Sequence, residues 1–119
     1  MREIEFRGKR KDNGKWMYGS PVYLDPEHIG IWTENAQSYF WVIPETVGQY
    51  TGLKDKNGVK IFEGDIVKHF PTDLFVVTFE DCAFWAKAGD GSMKLSQRET
   101  YWHIIGNIHD NPELLEVNA

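Results

Sequence analysis

The residues of this chain that could do chemistry are few and poorly grouped. Its imidazoles are His28, His69, His103 and His109, and its one thiol is Cys82. Zinc sites draw on Cys and His at short, repeated spacings, and neither HxH nor HExxH occurs here. His103 and His109 fall in a stretch that reads as strand, on one face but too far apart to chelate jointly. Cys82 follows Asp81 and precedes Ala83-Phe84-Trp85. A neighbouring carboxylate opposes thiolate formation and the apolar flank reads as burial, so Cys82 is expected in the core rather than as a nucleophile. Glu63 and Asp65 would share one face of an extended segment, as paired carboxylates in acid–base work must. Gly64 between them favours a tight bend instead, with Asp65 accepting backbone N–H groups inside it. Ser20, Ser38, Ser92 and Ser96 lack the context of a nucleophile elbow. No catalytic, metal or cofactor-binding residue is assigned, no cofactor is expected, and the chain is not read as an enzyme. A small hydrolase or nuclease is the remote alternative.

Binding is better provided for. Arg7, Lys9, Arg10 and Lys11 form the basic cluster of the chain. Residues 1–18 carry six basic and three acidic side chains, a balance of +3, so within the net −5 the other residues hold −8. An acidic body repels a polyanion at long range, which disfavours general nucleic-acid affinity without excluding a local contact through the basic arm. Aromatics make up 14 % of the chain and include five tryptophans. Large rings let short strands bury much area, or they form a sticky surface for a partner. Tyr39-Phe-Trp-Val-Ile is apolar at every position, so both faces of that strand should be covered, by the rest of the chain or by a second subunit. The candidate binding surface is therefore Arg7, Lys9, Arg10, Lys11 and Trp41.

The elements that would hold these residues read mostly as strands. Glu3-Ile-Glu-Phe-Arg alternates charged and apolar residues, and Asp12-Asn-Gly turns the chain into Lys15-Trp-Met-Tyr-Gly as a hairpin. Val22-Tyr-Leu, Ile29-Gly-Ile-Trp and the 39–43 run follow. Pro44-Glu-Thr-Val suits one helical turn with proline at its first position. Tyr50 should pack inward. Asn57-Gly58 predicts a type I′ hairpin, since both central residues of that turn need positive φ. Beyond it lie strands at 66–70, 74–79, 83–87 and 101–108. Asn111-Pro-Glu-Leu-Leu-Glu should close the chain with a short helix, asparagine capping and proline at N1.

The string Pro44-Glu-Thr-Val-Gly-Gln-Tyr-Thr-Gly-Leu-Lys-Asp-Lys-Asn-Gly, followed by Ile61-Phe-Glu-Gly-Asp-Ile-Val, resembles the signature of the YopX-like family of bacteriophage and prophage proteins. Phe6-Arg-Gly-Lys-Arg and Asp12-Asn-Gly-Lys-Trp-Met-Tyr-Gly resemble the family's opening, and Ile105-Gly-Asn-Ile-His-Asp-Asn-Pro-Glu-Leu-Leu its ending. The resemblance implies an α+β, mostly β protein, with an N-terminal α+β region over 1–60 and a C-terminal SH3-like β-barrel over 61–119. It carries no reaction and no catalytic residues. Residues 20–40 and 70–100 match none of its motifs, so a protein-specific surface is expected there.

One cysteine excludes an internal disulfide and suits a reducing cytosol. No run approaches the ~20 apolar residues that a membrane-spanning helix needs. The expected setting is the cytoplasm of a bacterial host, with a phage or host protein as partner and self-association as a further expectation. The expected role is a small protein-interaction or assembly module. The alternative is a nucleic-acid-binding accessory protein using a barrel face and the basic N-terminal arm.

Overall fold

The computed structural model describes residues 4–69, 73–88, 91–95 and 102–116. The expected strand residue Glu3, and Ser96 and Tyr101, lie outside that set. The chain divides into two compact units, Met1–Tyr50 and Thr51–Ala119.

The first unit contains β1 (Phe6–Lys9), β2 (Trp16–Asp25), β3 (His28–Thr33), β4 (Ser38–Val42), a single 3-10 turn at Pro44–Thr46, and the start of β5 (Gly48–Lys54). Its strand order is β4-β3-β2-β1, with the start of β5 beside β1. The long strand β2 serves two partners. Residues 16–19 pair with β1, Lys9 opposite Trp16, and residues 20–25 pair with β3, Ser20 opposite Trp32. Gly19 sits at the changeover, and a Cβ there would lie 1.9 Å from the Trp32 carbonyl oxygen. The end of β1 also reaches β4 through one isolated bridge, Arg10 to Val42. Ile29, Ile31 and Val42 form the buried core, with Phe6, Met17 and Val47 against it. That core is largely aliphatic. Of the unit's tryptophans, Trp16 and Trp32 are half-buried and Trp41 is exposed.

The second unit continues β5 and adds β6 (Lys60–Phe62), β7 (Asp65–His69), β8 (Asp73–Glu80), β9 (Ala83–Ala88), β10 (Gly91–Lys94), β11 (His103–Asn107) and α1 (Glu113–Glu116). Five of these strands form a sheet in the order β10-β9-β8-β7-β11. Its core gathers Ile61, Val67, Val77, Phe84, Ala86, Leu95 and Trp102. Here the large rings do fill the interior: Trp102 is 1 % exposed, its ring 5.5 Å from Phe75 and 4.9 Å from His69.

These facts correct the expected fold class. The N-terminal unit is not α+β: among its described residues the one helical feature is the Pro44–Thr46 turn. The chain lacks a long window of 3.6-residue periodicity there, and its glycine and asparagine turns leave room only for strands. Nor do the described residues form a closed SH3-like barrel. Both sheets are open, and β10 and β11 end the strand order of the second instead of pairing with each other. Closure is a long-range property that strand spacing alone does not encode.

Two turns depart from the sequence reading. At Asn57-Gly58 only Gly58 takes positive φ, at 81°. Gly58 N–H donates to the Asp55 carbonyl (3.0 Å) and Asp55 N–H to the Val59 carbonyl (2.8 Å), which is a three-residue loop with a glycine bulge. The cause is Asp55, whose carboxylate accepts the N–H groups of Asn57 (2.8 Å) and Val59 (2.9 Å) and folds the loop around itself. Both central residues of the β8–β9 turn take positive φ, Asp81 at 50° and Cys82 at 61°, between paired Glu80 and Ala83. Cys82 is thus exposed on a turn and not in the core. Positive φ costs a non-glycine residue about 1 kcal/mol. Changing Asp81-Cys82 to Asn-Gly should therefore raise stability by about 1 kcal/mol, read as a higher urea midpoint at unchanged slope.

Asp65 follows its sequence reading. It is 2 % exposed, and its carboxylate accepts the Phe62 N–H at 2.7 Å across the Gly64 bend. Tyr50 is buried, as expected. The closing helix forms, but the Asn111 side chain does not cap it. The Asn111 amide oxygen accepts the Asn107 N–H at 3.2 Å, anchoring the helix to β11.

Candidate functional site

Strand pairing in the first unit places a glycine opposite a tryptophan. Gly30 on β3 faces Trp41 on β4, and Trp32 faces Tyr39. A Cβ on Gly30 would come within 3.0 Å of the Tyr39 ring and 3.7 Å of the Trp41 ring. Its absence leaves room for both rings beside β3. They meet edge to face at 5.2 Å, and the His28 ring closes on Trp41 at 6.1 Å, also edge to face. Tyr39 is 46 % and Trp41 37 % exposed, so the rest of the chain does not cover both faces of the 39–43 strand. An all-apolar run reports β-propensity and surface stickiness alike.

These rings border a cavity of about 350 Å³ that is also lined by Arg10, Lys11, Asp12 and Phe40. The β1–β2 turn holds the basic wall in place. Lys11 N–H donates to the Trp41 carbonyl at 3.0 Å and Ile43 N–H to the Lys9 carbonyl at 2.8 Å. The Arg10 guanidinium lies 4.5 Å over the Phe40 ring and forks onto Asp12, at 2.9 Å from Nε and 2.6 Å from Nη2. That fork holds the Asp12 carboxyl below its ordinary range. Behind His28 and outside the cavity lining, Asp25 accepts from His28 Nδ1 at 2.8 Å and from the Glu27 N–H at 2.9 Å, and these two bonds lower its pKa, His28 most. Lys11 Nζ reaches the Glu27 carbonyl at 3.2 Å. The cleft therefore offers two exposed rings, one neutralised arginine and one ammonium engaged only by a backbone carbonyl among the bonds described.

The structure brings Arg10, Lys11 and Trp41 of the sequence candidates together and leaves Arg7 and Lys9 out. Arg7 and Lys9 alternate on β1 and share the face of Trp16, with the Arg7 guanidinium 4.5 Å and Lys9 Nζ 5.8 Å from that ring. Arg7 is only 6 % exposed. Arg10 and Lys11 come after the strand ends and follow the turn instead. Sequence reasoning missed His28, Tyr39 and Asp12. The i, i+2 spacing of Tyr39 and Trp41 was the available signal for one shared face.

The other candidates are scattered. His69 packs on Trp102, His103 Nδ1 sits 3.2 Å from the Asn57 amide, and His109 lies past β11 in a turn whose N–H donates to Asn107. Among the described residues no three His, Cys, Asp or Glu side chains group as metal ligands. No helix there is long and apolar enough to cross a membrane.

Comparison with known proteins places the chain beside a family, a solved structure and a curated relative. The family described as YopX protein matches residues 5–116. The crystal structure of protein EF1440 from Enterococcus faecalis is similar at a TM-score of 0.65 and 26 % identity, covering 97 % of this chain and 99 % of that one. A valine–tRNA ligase from a Nitratiruptor species is 32 % identical over 89 residues, which is 71 % of this chain and 10 % of the ligase. The chain thus spans about a tenth of that relative's length.

Proposed function

The chain belongs to the YopX protein family, and from that premise we propose that it is a phage-type protein-interaction module acting through the Trp41 cleft in the cytoplasm of a bacterial host. One observation carries this reading. The first unit buries aliphatic residues and leaves Tyr39 and Trp41 exposed over Gly30, beside a cavity large enough for one or two side chains. Exposed aromatics in a preformed recess are the usual anchors of protein recognition.

The nucleic-acid alternative has less to draw on. Arg10 is forked onto Asp12, Arg7 is buried, and Lys9 is turned toward Trp16. Neutralising several phosphates requires several available cations along a groove, and the overall charge is −5. The test is fluorescence anisotropy at low salt against labelled single-stranded DNA, duplex DNA and tRNA, the last because of the ligase match. A flat titration is the expected result. Binding that falls steeply with salt, and weakens when Lys9 and Lys11 become glutamine, would replace this reading with the other.

Trp41 can be removed without unfolding the protein on this account. Trp41→Ser should cost about 1 kcal/mol or less, because the ring is over a third exposed and closes no core cluster. Thermal melting of the variant checks this and licenses its use as a binding control.

A further inference from the structure

We propose that the segment this cleft accepts is acidic: a partner peptide that seats an aromatic or aliphatic side chain against Trp41 and Tyr39 and lays a flanking carboxylate on Lys11. The inference rests on the reading of the cleft as a protein-binding site and adds the chemistry of its ligand. The rings supply the apolar half of the site, with Tyr39 and Trp41 exposed and perpendicular. The charges supply the rest. Three formally charged side chains line the cavity, Arg10, Lys11 and Asp12, so its wall is net positive on a chain of net charge −5. The Arg10–Asp12 fork cancels one pair, with Asp12 65 % exposed. Lys11 remains, bonded to the Glu27 carbonyl at 3.2 Å in an exposed setting. A carboxylate is a stronger acceptor for an ammonium than a peptide carbonyl is.

Other occupants fit less well. A basic side chain would gain from the ring faces but would meet Arg10 and Lys11 at the same wall. A nucleic acid would stack on the rings, yet its phosphates would find one available ammonium and a distant field of the wrong sign. That distant repulsion acts on an acidic peptide too. At physiological ionic strength it is screened beyond about 8 Å, whereas contact with Lys11 is not.

The test is selection of a random peptide library displayed on beads against the full chain, with counter-selection on Trp41→Ser. Enrichment of peptides with Asp or Glu flanking Trp, Phe or Leu is the expected result. Replacing those acids by Asn and Gln in a selected peptide should then weaken its affinity about twofold to fivefold at low salt. Lys11→Glu should do the same, in keeping with one exposed charge pair. Enrichment of Lys- or Arg-rich peptides, or Trp41-dependent binding that ignores both Lys11→Glu and salt, would overturn the acidic ligand and leave the cleft standing. Peptides that bind Trp41→Ser equally well, or a library with no binders beside clear affinity for DNA or tRNA, would overturn the cleft itself.

Discussion

Asp55→Ala should destabilise the protein by about 3 kcal/mol, although Asp55 belongs to no core cluster and no expected site. Its carboxylate is the acceptor for three backbone N–H groups: Asn57 at 2.8 Å, Val59 at 2.9 Å and Ile104 at 3.2 Å. The first two shape the β5–β6 loop, and the third ties that loop to β11. The residue is 7 % exposed, so alanine would leave donors that water reaches poorly, each costing about 1 kcal/mol or more. Burial alone would raise the Asp55 pKa. The three N–H groups, and then His103 with Nδ1 4.0 Å away, outweigh it and hold the pKa below the ordinary 3.8. A depressed pKa has one sign of consequence. The contribution of Asp55 is complete above an unfolded value of about 3.9 and is lost as pH falls through the lower folded value. Urea unfolding between about pH 2.5 and 7 should show an acid limb that flattens in Asp55→Asn, which keeps one acceptor and cannot titrate. Equal acid slopes in the two proteins would mean that Asp55 does not organise this loop.

Gly19→Ala should cost about 3 kcal/mol for a different reason. The added methyl would lie 1.9 Å from the Trp32 carbonyl oxygen and 3.0 Å from its carbon, both backbone atoms. No rotamer relieves that contact, so β2 and β3 must separate where β2 exchanges one partner for the other. Overpacking usually costs about 1–3 kcal/mol, and a contact with backbone belongs at the upper end. Gly14→Ala is the matched control. It has positive φ (+72°) and nothing within 4 Å of the added atom, so it should lose only about 1 kcal/mol. Urea midpoints for the two variants check the difference, and equal losses would place the cost in backbone conformation rather than in the Trp32 contact.

What the sequence disclosed, it disclosed over short spans. Asp65 and Gly64 make their bend, Pro44 begins its turn, and the Asn111-Pro112 stretch becomes a helix, because each depends on residues within one turn of itself. The failures depend on distant partners. Asn57-Gly58 has the composition of a type I′ turn, but the Asp55 carboxylate, answering in part to Ile104, selects another loop. Cys82 looks apolar by its neighbours, yet the β8–β9 register puts it at the turn. The barrel came with the family resemblance, and open strand orders replaced it. β10 lies in the 70–100 stretch that offered no motif. The candidate site was half legible. Arg10, Lys11 and Trp41 meet only because Arg10 bridges Val42 across thirty-odd residues of chain. The paired rings needed Gly30 opposite Trp41, a pairing that local composition does not announce. The separation of Arg7 and Lys9 from Arg10 and Lys11 was legible in principle, since alternation on a strand that ends at Lys9 splits the cluster.

The most direct test of the central claim is quantitative affinity capture from phage-infected host lysate, nuclease-treated, comparing the tagged protein with its Trp41→Ser variant. The expected result is a stoichiometric protein partner that survives nuclease and is lost from the variant while the variant melts normally. A partner retained by Trp41→Ser, or one that disappears with nuclease, would contradict the assignment of the Trp41 cleft as a protein-binding site.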